Sequence, residues 1–86
     1  MKVIFHEDAL ADLRSFDTVL KGHFARHLEK LSGMPPRRHM KFGLPFHVEN
    51  ITKQARLVYC ERGENLYVIR CFGNRKDYER WYVYFK

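Results

Sequence analysis

The sequence predicts an α+β fold in a single domain over residues 1–86. An N-terminal strand precedes two antiparallel helices, which pack on one face of a twisted, mainly antiparallel sheet of four or five strands. Three observations predict this order: a β-prone run at Lys2–Phe5, apolar residues at helical spacing from Ala9 to Leu31, and two strand-forming runs after Ala55. The chain has 86 residues, of which 45% are hydrophobic, and this suffices for one small core.

The helical part begins after the first strand with acidic residues, which suit the N-terminal end of a helix dipole. Apolar spacing predicts a first helix over about Glu7–Ser15 and a second helix that Asp17 or Thr18 caps. Gly33 is expected to end the second helix, and Pro35–Pro36 prevents the helix from resuming. The short interval between the two helices favours an antiparallel pair on one side of the sheet.

A β-hairpin is predicted in the middle of the sheet. The runs Arg56–Cys60 and Leu66–Phe72 are rich in β-branched and aromatic residues and flank the glycine-containing segment Glu61–Asn65. Both runs are almost continuously apolar, which is typical of strands that are covered on both faces. With a five-residue loop, Arg56 would lie opposite Arg70, and like charges in that position are unfavourable unless an anion offsets them.

The segments on either side of the hairpin are less regular. Pro45–Thr52 alternates weakly between apolar and polar residues, so it is predicted to form strand two, with a tight turn leading into the hairpin. The aromatic-rich tail Glu79–Lys86 is expected to form a last strand or a short extension.

Positive charge is concentrated in the second half of the chain. Residues 1–36 hold five Lys or Arg and five Asp or Glu, which leaves no net charge, whereas residues 37–86 hold eleven and five, which leaves +6. A basic sheet region predicts a surface that faces a polyanion, with nucleic acid as the leading partner. An acidic protein is the alternative, and the two partners are compatible with each other.

Cysteine usage and hydropathy indicate the compartment. Cys60 and Cys71 fall near opposite ends of the predicted hairpin, so they are interpreted as buried thiols in a reducing environment. No apolar run approaches the roughly 20 residues that span a bilayer, and Met1–Phe5 is too short for a secretory signal, so a cytoplasmic protein without a membrane partner is expected. His23 and His27 lie one helical turn apart without a third ligand nearby in sequence, so no metal or other cofactor is predicted.

Three local strings resemble a known family. The opening Val3–Ala9, VIFHEDA, is similar to a strand that leads into a helix rich in acidic residues and alanine. Ile51–Tyr59, ITKQARLVY, resembles the start of the family's third strand, where an arginine precedes Leu-Val-Tyr, and Gly73–Tyr78, GNRKDY, resembles its closing basic turn and aromatic. The chain thus resembles the RelE/YoeB-type toxins of bacterial toxin–antitoxin pairs, within the RelE/ParE superfamily.

The resemblance implies a RelE-like domain over nearly the whole chain and a defined activity. Many members of this family are cytoplasmic endoribonucleases that cut mRNA on the ribosome without a metal and leave 2′,3′-cyclic phosphate ends. A cognate antitoxin, here expected to be acidic, holds them inactive, so the implied partners are the antitoxin, the ribosome and mRNA. Two alternatives stay open: a ParE-like toxin that inhibits DNA gyrase, and an inactive relative that binds RNA or a partner protein.

Three departures from the family pattern bear on this activity. Asn74 stands where members often carry a histidine before the closing arginine, and Tyr78 follows Arg75 by three residues where four or more is common. Glu49 and Asn50 occupy positions of strand two that are often basic. The acid–base set of the family is therefore matched only in part.

Metal-free RNA cleavage needs a base for the 2′-hydroxyl, cations for the phosphorane and an acid for the leaving 5′-oxygen. Arg56 and Arg75 are predicted to stabilise the phosphorane, because a guanidinium is permanently charged and can engage two phosphate oxygens. His47 and Glu49, which share one face of strand two, are the candidates for the base. Tyr78 is predicted to orient the phosphate or to stack on a base.

A second set of residues is predicted to hold RNA or the ribosome. Its members are mainly cationic side chains in the basic loop, around the hairpin and just after it, together with one aromatic. They are Arg37, Arg38, His39, Lys41, Lys53, Arg70, Lys76 and Tyr82.

Overall fold

The computed structural model describes residues 2–33 and 46–84. In chain order these ranges contain β1 (Lys2–Phe5), α1 (Glu7–Arg14), α2 (Thr18–Ser32), β2 (His47–Asn50), β3 (Arg56–Arg62), β4 (Asn65–Phe72) and α3 (Arg75–Val83). The predicted α+β class, with an N-terminal strand followed by two helices and then the main strands, is confirmed. The basic-loop residues predicted to bind RNA or the ribosome, Arg37, Arg38, His39 and Lys41, lie outside the described ranges.

The two N-terminal helices begin at polar caps. The backbone N–H of Asp8 donates to His6 Nδ1 over 3.1 Å at the start of α1. At the start of α2, the backbone N–H of Leu20 donates to Asp17 Oδ1 over 2.8 Å. Of the two predicted caps, Asp17 and Thr18, the N-cap is therefore Asp17. Gly33 follows the last residue of α2, as predicted. Sequence signals therefore locate both helices closely.

The four strands form one mixed sheet in the order β1-β4-β3-β2. β1 runs parallel to β4, whereas the β2–β3 and β3–β4 pairs are antiparallel. The predicted hairpin, β3 and β4, is central in the sheet. β1 pairs only with residues 65–68 of β4, so the C-terminal half of β4 extends past the end of β1.

The predicted register of the hairpin is wrong. Arg62 pairs with Asn65, so the loop has two residues rather than five, and Gly63 takes a φ of 59° that glycine adopts readily. A register shift between Val58 and Tyr59 then changes the pairing further along the strands. As a result Arg56 lies opposite Phe72, and the predicted pairing of two arginines does not occur.

Residues 79–83 of the aromatic tail belong to a helix, α3, instead of the predicted last strand or extension. Asn74 is its N-cap: the side-chain Oδ1 accepts from the backbone N–H of Asp77 over 2.9 Å. Tyr78, Trp81 and Tyr82 then fall at helical spacing, which overrides the strand preference of their aromatic rings. Neither α3 nor any other helix in the described ranges is long and apolar enough to cross a bilayer.

The two faces of the sheet are covered by different elements. On the helix-pair face, α1 and α2 pack against a core that includes Leu57, Tyr59, Leu66, Val68 and Cys71. On the α3 face, Tyr78 and Trp81 pack against Phe46, Val58 and Phe72. Alternation along β3 separates the two sets, because successive side chains point to opposite faces. The two cysteines are buried free thiols, as predicted.

Candidate functional site

Arg56 begins β3 and extends along the α3 face beside Phe72. Its Nη1 donates to three backbone carbonyl oxygens of the preceding turn, those of Thr52 and Lys53 over 3.1 Å and that of Ala55 over 3.0 Å. No carboxylate of the described residues lies within ion-pair distance of its guanidinium. The carbonyl oxygens thus fix the side chain without neutralising its charge, which is the state that an anion-binding arginine requires.

Tyr78 lies on α3, and Phe72 is a neighbour of both Tyr78 and Arg56. The Tyr78 ring is 5.9 Å from that of Phe72 and 5.8 Å from that of Tyr82. Burial is the main cause that raises the pKa of the Tyr78 hydroxyl, Tyr82 and Glu79 add to the rise, and the charge of Arg56 acts against it. The phenol is therefore protonated at neutral pH and can donate a hydrogen bond or a proton.

Arg75 stands in the first turn of α3, and Tyr78 and Tyr82 follow it at i+3 and i+7 on the same side of the helix. Its Nε donates to Glu79 Oε1 over 2.7 Å, and both side chains are more than half exposed. An exposed i,i+4 pair of this kind is weak, on the order of 0.3–0.5 kcal/mol, so a phosphate can compete for the guanidinium. Arg75 shares one side of α3 with Tyr78 and is a candidate second cation of the site, although the Glu79 carboxylate already binds it.

The two predicted bases do not join this constellation. His47 pairs with Tyr59 and Glu49 pairs with Leu57, so both side chains lie on the helix-pair face of the sheet. His47 is also 7% exposed, with its ring 5.3 Å from that of Tyr59. The expectation that they act beside Arg56 is therefore corrected: the sheet separates them from it.

Arg70, another residue predicted to bind RNA, is bound by a carboxylate. Its Nε donates to Asp12 Oδ2 over 2.8 Å and its Nη2 donates to Asp12 Oδ1 over 3.0 Å. The hydrogen bonds to Asp12 are the main reason that its pKa is raised above the ordinary arginine value. A guanidinium held by two hydrogen bonds to one carboxylate, with a side chain 28% exposed, is a structural group, so its assignment to RNA binding is corrected.

The remaining predicted contacts surround Arg56 and α3. Lys53 is exposed in the turn whose carbonyl oxygens bind Arg56, and Lys76 is exposed beside Arg75. Tyr82 is half-buried against Tyr78. The candidate site, which we call the Arg56–Tyr78 site, consists of Arg56, Tyr78, Arg75, Tyr82 and Lys53. Lys76 lies on the opposite side of α3 from Tyr78, with Glu79, Arg80 and Val83.

The site departs from the family pattern at Asn74, and the structure gives that residue a different task. Besides capping α3, its Nδ2 donates to Asp77 Oδ2 over 2.9 Å. The side chain of Asn74 therefore stabilises the start of α3, the helix that carries Arg75 and Tyr78. An asparagine at this position is explained by capping, without a part in proton transfer.

Sequence reasoning missed Asp12. The signal was present, because Asp12 lies three residues after Ala9 and four before Phe16 and so falls on the apolar stripe of the helical region. An acidic residue on such a stripe needs a buried partner. Its partner, Arg70, is 58 residues further along the chain.

The described residues contain no group of three or more His, Cys, Asp or Glu side chains that could hold a metal ion. His23, one of the two histidines considered as a metal pair, has its Nδ1 within 2.8 Å of Arg26 Nη2. The groups at the Arg56–Tyr78 site can provide positive charge, a protonated phenol and aromatic surface.

The fold defined by this sheet and its three helices is the RelE/YoeB-like toxin fold. Solved structures show it directly. A RelB-RelE antitoxin–toxin complex from Methanococcus jannaschii aligns with a TM-score of 0.68 and 11% identity, over 91% of this chain and 96% of that one. A YoeB/ParE toxin from Agrobacterium tumefaciens aligns with a TM-score of 0.65 and 20% identity, over 83% and 95%.

A copper-bound L66S mutant toxin from Helicobacter pylori aligns with a TM-score of 0.57 and 20% identity, over 90% of this chain and 97% of that one. At these identities the similarity establishes the fold. No family model matches the sequence, and no curated protein does so either.

Proposed function

We propose that this chain is the toxin of a type II toxin–antitoxin pair and acts as a metal-independent, ribosome-dependent mRNA endoribonuclease in the cytoplasm. The observation that supports this best is that Arg56, an arginine without a carboxylate partner among the described residues, and Tyr78, a protonated phenol, both lie half-buried next to Phe72 on the α3 face. Toxins with this fold among the solved structures support the toxin assignment.

In the proposed reaction Arg56 binds the scissile phosphate, with Arg75 as a second cation. The 2′-oxygen attacks the phosphorus and loses its proton to solvent, the bond from phosphorus to the 5′-oxygen breaks, and Tyr78 gives its proton to that oxygen. The products are a 2′,3′-cyclic phosphate and a free 5′-hydroxyl. The developing negative charge on the phosphorane is the part of this reaction that fixed cations stabilise most.

This site offers charge stabilisation and proton donation, whereas the predicted bases lie on the other face of the sheet. Catalysis without a positioned base depends strongly on holding the 2′-oxygen in line with the leaving group. We therefore expect free RNA to be cut slowly and ribosome-bound message to be cut fast, because the ribosome fixes the conformation of the strand. Tyr82 is proposed to stack on a base, and Lys53 and Lys76 to contact the backbone.

An acidic antitoxin is the proposed protein partner. The net charge of +6 lies entirely in residues 37–86, which include the Arg56–Tyr78 site. A negatively charged segment would cover this site and neutralise Arg56. The RelB-RelE complex shows that a chain with this fold is found bound to an antitoxin.

Purified ribosomes with a defined message test the proposed activity directly. The wild-type protein should produce discrete fragments whose upstream ends are 2′,3′-cyclic phosphates, in the presence of a metal chelator, and free message should remain almost intact. Mapping of 5′ ends of cellular transcripts after brief induction should give the same cleavage positions. Intact message at high protein concentration would contradict the nuclease assignment.

A gyrase-inhibiting toxin of the ParE type is the second candidate. It is favoured by the placement of His47 and Glu49 on the opposite face of the sheet from Arg56 and by the ion pair between Arg75 and Glu79, since both reduce the catalytic set. DNA supercoiling by purified gyrase separates the two: inhibition with intact message supports this candidate. An absence of both effects, with binding to RNA or to an antitoxin retained, supports an inactive relative.

A further inference from the structure

The edge of β4 changes its neighbour halfway along the strand. β1 pairs with residues 65–68 of β4. Just after β1, the backbone N–H of His6 donates to the carbonyl oxygen of Val68 over 2.9 Å. Beyond that point α1 takes the place of a strand: the backbone N–H of Cys71 donates to Asp12 Oδ2 over 2.9 Å. A side-chain carboxylate thus satisfies a backbone donor that a strand would otherwise pair with.

The Asp12 carboxylate binds Arg70 at the same time. With the two hydrogen bonds from the guanidinium, it accepts three in all, and its side chain is 17% exposed. Charge-assisted hydrogen bonds in a partly buried site are stronger than exposed ones, and two parallel bonds also fix the plane of the guanidinium. Asp12 therefore sets both the backbone of β4 at Cys71 and the orientation of the Arg70 side chain.

Arg70 connects this pair to the α3 face. Its Cζ lies 4.9 Å from the centre of the Phe72 ring, a cation–π contact. Phe72 is the cross-strand neighbour of Arg56, and its ring lies 5.9 Å from that of Tyr78 and 5.6 Å from that of Trp81. A chain of direct contacts thus leads from Asp12 to both halves of the Arg56–Tyr78 site.

A second contact holds the same corner. Gly73 connects β4 to α3, and a Cβ atom there would lie 3.1 Å from Cε1 of Phe16 and 3.5 Å from Cδ2 of Leu20. The corner is therefore packed closely against the segment that joins α1 to α2. Together, the contacts of Asp12 and Phe16 hold Cys71 and Gly73, the residues that lead into α3.

We propose that Asp12 is a positioning residue for the Arg56–Tyr78 site: through Arg70 and the backbone of Cys71 it holds Phe72 and the start of α3, so that Tyr78 stays beside Arg56. This inference rests on the proposed function. Asp12 touches no substrate in this account. Its loss displaces the phenol from the phosphate, and a displacement of about 1 Å can reduce a rate by about a hundredfold.

Asp12→Asn tests the proposal, with Asp8→Asn as the matched control, because Asp8 is an exposed acid on the same helix. Trp81 is the only tryptophan in the sequence and packs on Phe72, so its fluorescence reports how α3 is seated. In Asp12→Asn we expect increased acrylamide quenching of Trp81 at temperatures where circular dichroism shows a folded protein. We also expect a fall of about tenfold to a hundredfold in kcat on ribosome-bound message, with little change in KM. Asp8→Asn should match the wild type in all three.

A lowered melting temperature with wild-type quenching and wild-type kcat would overturn the proposal, because Asp12 would then contribute stability alone. If Asp12→Asn does not fold, Arg70→Lys gives the same test, since lysine keeps the positive charge but cannot make the two parallel hydrogen bonds to Asp12. We then expect a smaller increase in Trp81 quenching and a smaller fall in kcat. If the wild-type protein cuts no message, the proposed function fails by itself. The quenching comparison then still decides whether Asp12 holds α3.

Discussion

Arg56 and Arg70 lie on adjacent central strands, yet their surroundings differ in the one respect that governs anion binding. Arg70 gives two hydrogen bonds to the carboxylate of Asp12, whereas Arg56 gives its hydrogen bonds to neutral carbonyl oxygens. Both side chains are held in place, but only one has its charge neutralised. The comparison teaches that the partner of an arginine decides its role more than its position on the sheet.

The largest expected effect on stability comes from removing the ion pair between Arg70 and Asp12. Arg70→Ala leaves the Asp12 carboxylate partly buried without its cation, and we expect a loss of about 2–4 kcal/mol in the free energy of unfolding. Arg56→Ala removes hydrogen bonds to three neutral carbonyl oxygens, of which those of Thr52 and Lys53 are at the surface, and should cost about 1 kcal/mol. Urea denaturation of both variants measures the difference, and equal losses would contradict the contrast.

The connection between β4 and α3 at Gly73 should also be sensitive to substitution. Gly73→Ala places a Cβ atom 3.1 Å from the Phe16 ring, so we expect a loss of about 1–3 kcal/mol. Gly22→Ala is the matched control, because no atom lies within 4 Å of a Cβ there and the residue is inside α2. That change should raise stability by about 0.5–1 kcal/mol. Thermal unfolding of both variants should show shifts of opposite sign.

Cys71, beside Arg70, should make stability fall at high pH. Burial raises the pKa of its thiol from 9.0 to about 12. The contribution of the neutral thiol is complete below pH 9 and is lost as the pH rises towards 12, because the unfolded chain loses this proton first. Between pH 8 and 10 we expect about 1.4 kcal/mol of loss that Cys71→Ala does not show. An identical pH dependence in both proteins, measured by urea denaturation, would contradict this assignment.

The smallest effect is expected at Arg75, which is intermediate between the two arginines of the comparison. Glu79→Gln removes its exposed carboxylate partner and should lower the free energy of unfolding by less than about 0.5 kcal/mol. Since the guanidinium is then available to phosphate, cleavage of ribosome-bound message should stay the same or rise. A fall in cleavage would show that the ion pair holds Arg75 in its working position.

Much of the fold could be predicted from the sequence, because local signals determine it. Asp17 and Gly33 mark the bounds of α2, and continuous apolar runs mark the central strands. The hairpin register could not be predicted in the same way. It depends on a two-residue turn at Gly63 and a shift after Val58, and both are decided by pairing between strands.

The chemistry of single side chains could be predicted from the sequence, but the face of the sheet on which each side chain lies could not. The sequence predicts Arg56 and Tyr78 as a cation and an aromatic near a phosphate. In the structure both residues neighbour Phe72, and their roles stay predictions. His47 was assigned from its titration range, but strand alternation places it on the other face of the sheet. The position of Asp12 on an apolar stripe indicates that it needs a partner, but that partner, Arg70, is 58 residues further along the chain, and no local pattern identifies it.

The central claim is that the uncompensated charge of Arg56 stabilises the transition state of RNA cleavage. The most direct test compares Arg56→Ala with Arg62→Ala, an exposed arginine at the far end of the same strand. Each variant is assayed on ribosome-bound message under conditions where it is folded. We predict that kcat falls about 10²–10³-fold in Arg56→Ala and stays near the wild-type value in Arg62→Ala. Equal cleavage by the two variants would contradict the claim.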